Sequence, residues 1–140
     1  MDFISEAIVM TQVAAAVIEE GGKILICRRG AGESCAFLWE FPGGKLEPSE
    51  TAQECVIREC REELGVDISV DGILAETTYR YPEREVALTF FKAQILHGEP
   101  VMRIHVDLCW VFPSELRNYE FCPANKALIR QLEMSDSGTK

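Results

Sequence analysis

Residues 51–65 carry the start, body and end of a helix in one short stretch, and they constrain the fold more than any other segment. Thr51 is a good N-cap, and Glu54 follows three residues later, as in a capping box. Gly65 can close the helix in a left-handed C′ position. At about 100° per residue, Ala52, Cys55 and Val56 project along the same stripe as Glu59, Glu62 and Glu63. An apolar stripe that turns into three carboxylates is unusual for a surface helix. Like charges at this spacing repel unless something positive sits among them. Carboxylate oxygens are the ligands that Mg²⁺ or Mn²⁺ prefers. The ordinary alternative is a solvated acidic face.

The rest of the chain reads as strands around this helix. Residues 8–18, rich in Val, Ala and Ile, predict a buried strand, then a turn at Glu19-Glu20-Gly21-Gly22 and a second strand over 23–28. A loop follows over 30–34, then an apolar stretch over 37–41 that breaks at Pro42-Gly43-Gly44. Strands are expected over 73–81, 85–96 and 107–112, with Val86 to Phe91 as core rather than a dimer edge, and turns at Pro82-Glu83-Arg84 and over 97–100. Pro113 opens a helical turn, 123–134 is a second helix, and 135–140 is a mobile polar tail. The expectation is one domain over 1–134, a mixed α/β sandwich, as monomer or homodimer.

Fourteen basic against 23 acidic side chains leave a formal charge of −9. This argues against a sequence-independent grip on a nucleic-acid polymer, which needs clustered Lys and Arg. A phosphorylated substrate stays open, because carboxylates can hold a divalent cation that binds phosphate. No run approaches the ~20 apolar residues of a membrane span. The N-terminus lacks the basic and apolar parts of a signal peptide, so the expected compartment is the reducing cytoplasm. The six cysteines include no CxxC pair and read as plain core or surface thiols.

What distinguishes the acidic helix from a solvated one is the loop before it. Gly43-Gly44 makes a tight turn whose backbone can approach an ion or phosphate, and Lys45 is a possible phosphate contact. Glu50 and Arg58 suit an ion pair bracing loop against helix. Gly44, five residues, Glu50, seven residues, then Arg58-Glu59-Cys60-Arg61-Glu62-Glu63-Leu64-Gly65-Val66 resembles the box of the Nudix family. Every fixed letter of the pattern is present, and Cys60 is a mildly atypical occupant of one apolar position.

The resemblance implies a Nudix-fold α/β/α sandwich with a mixed sheet and a catalytic loop-helix. It implies Mg²⁺-dependent hydrolysis (Mn²⁺ a possible substitute) of a nucleoside diphosphate linked to another group. Glu59, Glu62, Glu63 and the Gly43 carbonyl would be metal ligands, with Glu50 and Arg58 as the brace. One glutamate, Glu62 or Glu59, would take a proton from water. Arg28-Arg29, Trp39 to Gly44, Tyr81 to Arg84 and Phe121 to Asn125 resemble segments of the MutT-like branch, in the same order. That branch cleaves nucleoside triphosphates to monophosphate and pyrophosphate, and 8-oxo-dGTP is the first substrate expected. CTP or a modified pyrimidine triphosphate, an ADP-sugar or dinucleotide, and a non-catalytic nucleotide-binding module are the alternatives.

By the same resemblance Asn125 would read the base edge, Tyr81 would lie near the base, and Arg29 would approach base or sugar. Read alone, Asn125 is more often an N-terminal helix cap and Tyr81 a strand core residue, and Arg29 is as readily a surface Arg. Trp39 and Phe37 are expected to pack. One position departs from the pattern: the loop glutamate expected six residues before Trp110 is Ile104, flanked by Glu99, His105 and Asp107.

Overall fold

The computed structural model describes residues 9–138. Its first strand, β1 (Val9–Glu20), is the organising element: it pairs parallel with β6 (Arg84–His97) and antiparallel with β2 (Lys23–Arg28) and β4 (Gly43–Lys45). β2 carries β3 (Trp39–Glu40) and β7 (Asp107–Val111), and β6 carries β5 (Asp67–Tyr81) at the far edge. The sheet is therefore mixed, as expected.

Side-chain alternation along β1 sorts the protein into layers. Ala15 and Val17 join Ile24, Ile26, Val86, Leu88 and Phe90 on one face, under Leu128 of α2 (Lys126–Gly138). Ala14, Ala16 and Ile18 join Leu25, Cys27 and Phe91 on the other, under Cys55, Val56, Cys60 and Leu64 of α1 (Ala52–Leu64). One helix on each face gives the α/β/α sandwich.

The local signals of α1 act as expected. The Thr51 side chain accepts from the Glu54 N–H and the Glu54 carboxylate accepts from the Thr51 N–H, both at 3.0 Å. Gly65 ends the helix at φ 72°.

Several boundaries differ from the sequence expectation. β1 runs on to Glu20, so the first turn shrinks to Gly21-Gly22, both at positive φ, as a two-residue hairpin demands. The expectation for position 8 lies outside the described residues. β5 begins at Asp67 rather than 73: Gly72 does not end the strand but sits in it at φ 125°, beside register shifts that absorb the break. The second helix opens with a 3₁₀ turn, Pro123–Asn125, and continues to Gly138, into the segment expected as a tail. Trp39 is buried as expected, but Phe37 is 49% exposed, with the Arg28 guanidinium over its ring. All six cysteines are free thiols. No helix among the described residues is long and apolar enough to cross a membrane.

Candidate active site

β4 brings the Gly-Gly turn against α1. A side chain at Gly44 would collide with the Glu59 carboxylate, and one at Gly43 with the backbone of Ala14 and Ala15. The two glycines thus let strand, helix and carboxylate share one narrow space.

Arg58 braces this space more widely than an ion pair with Glu50 alone. Its Nε and Nη2 donate to the two Glu50 oxygens at 2.7 and 2.9 Å, a bidentate pair. Nη2 also donates to the Lys45 carbonyl at 3.2 Å, fastening β4 to the helix. Nη1 donates to Glu59 and Glu62 at 3.1 Å each. The Arg58 hydrogen bonds and the Glu47 N–H hold the Glu50 carboxyl down to about 2. The same partnership moves Arg58 above its ordinary value.

The three glutamates of the helix are not equivalent. Glu63 lies against Glu59 and the Gly43 backbone, and burial, reinforced by Glu59, pushes its carboxyl up to about 9. Its Oε1 is buried without a hydrogen-bond partner. Glu59 is 15% exposed, whereas Glu62 is 59% exposed and drawn to Arg58. Among the described residues no three His, Cys, Asp or Glu side chains converge closely enough to hold a metal ion.

These residues nevertheless fit a hard divalent cation. Two carboxylates share a half-buried space, one of their oxygens has no partner, and the side-chain donors are oxygen. A positive ion there would relieve both the desolvation of Glu63 and its repulsion from Glu59.

From this acidic end a cleft of about 370 Å³ extends past Glu40 to Tyr81, Cys122 and Asn125. The backbone N–H of Trp39 donates to Glu120 and that of Cys122 to Trp39, which ties the 120–122 segment to β3 and sets Asn125 on the cleft. Asn125 is buried, and its Nδ2 donates to the Cys122 carbonyl at 3.4 Å rather than capping a helix. Tyr81 lines the cleft with Arg84 over its ring, and burial pushes its hydroxyl up to about 12. Lys45 lines the acidic end.

Arg29 is also at the cleft, with each guanidinium nitrogen engaged: Nε by the Ser34 carbonyl at 2.6 Å, Nη1 by Glu40 at 2.7 Å and Nη2 by Glu33 at 3.2 Å. It folds the 30–34 loop onto β3. Ile104 lines the cleft where the loop glutamate was expected. Asp107 caps the Leu108 N–H instead of facing the cleft. His105 points inward, its Nε2 3.0 Å from the second Glu40 oxygen.

The Glu40–His105 contact had no signal in the sequence, because 65 positions separate its partners. Glu40 itself stood in plain view beside Pro42-Gly43-Gly44.

The family profile for the NUDIX domain matches residues 10–138. The chain is 38% identical over 120 residues to the CTP pyrophosphohydrolase of Escherichia coli (strain K12), covering 86% of this chain and 89% of that one. It is 33% identical over 123 residues to the 8-oxo-dGTP diphosphatase of the same strain, covering 87% and 95%. The solution structure of the E. coli ORF135 protein superposes with a TM-score of 0.77 at 36% identity, over 88% of each chain. The crystal structure of the MutT protein from Methanosarcina mazei Go1 reaches 0.81 at 22% identity, over 92% of this chain and 96% of that one, a likeness of fold.

The chain belongs to the Nudix hydrolase family. Within that family it is a pyrophosphohydrolase of the MutT-like branch.

Proposed function

We propose that the protein hydrolyses a nucleoside or deoxynucleoside triphosphate to the monophosphate and pyrophosphate, dependent on Mg²⁺, with Mn²⁺ as a substitute. The observation that carries this is the half-buried Glu59–Glu63 pair packed on Gly43-Gly44, with an unpartnered carboxylate oxygen at the mouth of a nucleotide-sized cleft. Glu59, Glu63 and the Gly43 carbonyl would hold the cation, joined by Glu62 once it leaves Arg58. When bound, the cation supplies positive charge against the phosphates and acidifies water.

The chain's own residues do the rest. Arg58 and Glu50 hold β4 and the helix in register while Glu62 swings, because the bidentate pair does not involve Glu62. Lys45 offers a second positive group to the phosphates. Glu62, exposed and tethered only to Arg58, suits the acceptance of the attacking water's proton; Glu59 is the other candidate. At the far end of the cleft, Asn125 would pair with the base edge and Tyr81 would pack near the ring.

The names of the relatives support two readings of the base. An oxidised purine such as 8-oxo-dGTP is one reading, and with it a role in clearing the cytoplasmic nucleotide pool. CTP is the second, favoured by the 38% identity to an enzyme of that name. A panel of nucleotides with Mg²⁺, scored for pyrophosphate against orthophosphate, ranks them. Glu62→Gln is expected to collapse turnover while circular dichroism stays unchanged. Tight binding of a nucleotide with no turnover of any would mean a binding module and not an enzyme.

A further inference from the structure

Two of the six free thiols meet in the cleft. Cys35 comes from the loop after β2, and Cys122 from the segment that leads into the second helix. Both line the cleft beside Tyr81 and Asn125, and the other four cysteines do not line it. The Cys35 thiol lies against the Cys122 thiol and the Tyr81 hydroxyl.

The two members differ in ways that suit consecutive steps. Cys122 is buried, and burial followed by the Cys35 thiol beside it pushes the Cys122 thiol well above the usual range. Its backbone is fixed: the N–H donates to the Trp39 carbonyl at 3.0 Å, and the carbonyl accepts from the Asn125 N–H at 3.0 Å and Nδ2 at 3.4 Å. Cys35 is half-exposed, so a small solute in the cleft reaches it first. It sits at φ 55°, in the left-handed region that residues other than glycine rarely adopt, and Phe37 does the same at φ 64°. The Leu38 N–H donates to the Cys35 carbonyl at 3.1 Å and the Phe37 N–H to the Arg29 carbonyl at 3.0 Å, which holds this turn. Glycine would be the easy occupant, and the chain places there a thiol that meets a second thiol.

We propose that Cys35 and Cys122 form a dithiol site that a hydroperoxide closes to a disulfide, and that closure shuts this end of the cleft. The Cys35 sulfur attacks the hydroperoxide: an S–O bond forms, the O–O bond breaks, and the remainder leaves as alcohol or water with the Cys35 proton. The Cys122 sulfur then attacks the Cys35 sulfur: the S–S bond forms, the S–O bond breaks, and the hydroxyl leaves as water with the Cys122 proton. The two thiols lose two electrons and one peroxide takes them. A disulfide brings the sulfurs to about 2.05 Å, well inside any non-bonded approach. Cys122 is tied to β3, so the loop that carries Cys35 moves, across Tyr81 and Asn125. The gating rests on the nucleotide reading above; the disulfide does not.

The test treats the reduced protein with a few equivalents of hydrogen peroxide. A non-reducing peptide map should show Cys35 joined to Cys122, with the intact mass lower by about 2 Da. The kcat/KM for nucleotide hydrolysis should fall about tenfold or more, as a cleft wall shifts by about 1 Å, and dithiothreitol should restore it. Cys35→Ser and Cys122→Ser, each measured against its own reduced state, should lose this reversible fall. Phenylarsine oxide, which bridges two thiols with loss of water, should add once to reduced wild type and block the disulfide, a measurement that needs no variant to fold. A map in which Cys35 ends as sulfinic acid, or pairs with another cysteine such as Cys109, overturns the proposal, as does failure of the arsenical to add. So does a Cys35–Cys122 disulfide that leaves hydrolysis unchanged, or a serine variant that keeps the reversible fall. If reduced wild type turns over no nucleotide, the enzymatic reading fails and the map still decides the disulfide. Calorimetric binding of CMP and GMP then reads the gate, and equal affinities in the reduced and oxidised forms refute it.

Discussion

Adjacent glycines, Gly43 and Gly44, should fail in opposite ways when each becomes alanine. A Cβ at Gly44 would lie 2.5 Å from Glu59 Cδ. Carbon atoms rest at about 3.5 Å, so the carboxylate must retreat by about 1 Å. The obstacle is the end of a flexible side chain, so the backbone need not move, and alanine restricts the unfolded chain slightly. A misplacement of about 1 Å in a catalytic constellation can cost ~100-fold in rate, or about 2.7 kcal/mol of barrier. A Cβ at Gly43 instead meets backbone, 2.6 Å from Ala15 Cα, where β4 pairs with the central strand. Nothing there can rotate aside, so the cost falls on the fold, about 1–3 kcal/mol, at roughly 4 °C of Tm per kcal/mol. Steady-state pyrophosphate release and thermal unfolding by circular dichroism measure both quantities on both variants. Gly44→Ala should lose about 100-fold in kcat with Tm within a few degrees of wild type, and Gly43→Ala should lose Tm. If Gly44→Ala keeps full kcat, or unfolds as early as Gly43→Ala, the assignment of Glu59 to the working site is wrong.

Glu50 carries the clearest pH signature. Its carboxyl is lowered from 4.5 to about 2, so its contribution to stability is present above 4.5 and disappears as pH falls through about 2. Glu50→Gln should therefore be less stable than wild type at neutral pH, with the two converging near pH 2; a gap that stays constant with pH would contradict the brace. Phe90, fully buried between Phe41 and the β1 face, should cost about 3–5 kcal/mol on truncation to alanine, read by urea unfolding. Ile104→Glu places a carboxylate on the cleft that Glu63 also lines and should lower the Mg²⁺ concentration giving half-maximal rate, by about tenfold for one added charge-assisted contact. An unchanged Mg²⁺ dependence would show that the loop stands outside the metal site.

The legible parts of this protein are those that local chain geometry dictates. The helix over 52–64 could be read because its capping box spans three residues and its stripe repeats at 3.6, distances that no tertiary contact alters. The Glu50–Arg58 brace was legible because eight residues separate its members across a fixed turn. Strand ends were less so. Gly72 reads as a break in one dimension, but ladder pairing with β6 carries β5 through it as a bulge. Residues beyond 134 read as polar tail, yet the helix continues to Gly138.

Only the tertiary structure decided how the acidic helix is divided. The sequence places Glu59, Glu62 and Glu63 on one stripe, but burial depends on where β4 crosses, which leaves one Glu63 oxygen without a partner and Glu62 exposed beside Arg58. Likewise the resemblance has Arg29 approach base or sugar, and only the fold shows its nitrogens held by Ser34, Glu40 and Glu33 at the edge of the cleft. The Glu40–His105 pair exists because β2 joins β3 on one side and β7 on the other, bringing together residues far apart in the chain. Short-range periodicity determined that this protein has a capped helix with a carboxylate stripe. Long-range strand pairing decided what faces that helix across the cleft, because such contacts depend on register and leave no trace in spacing.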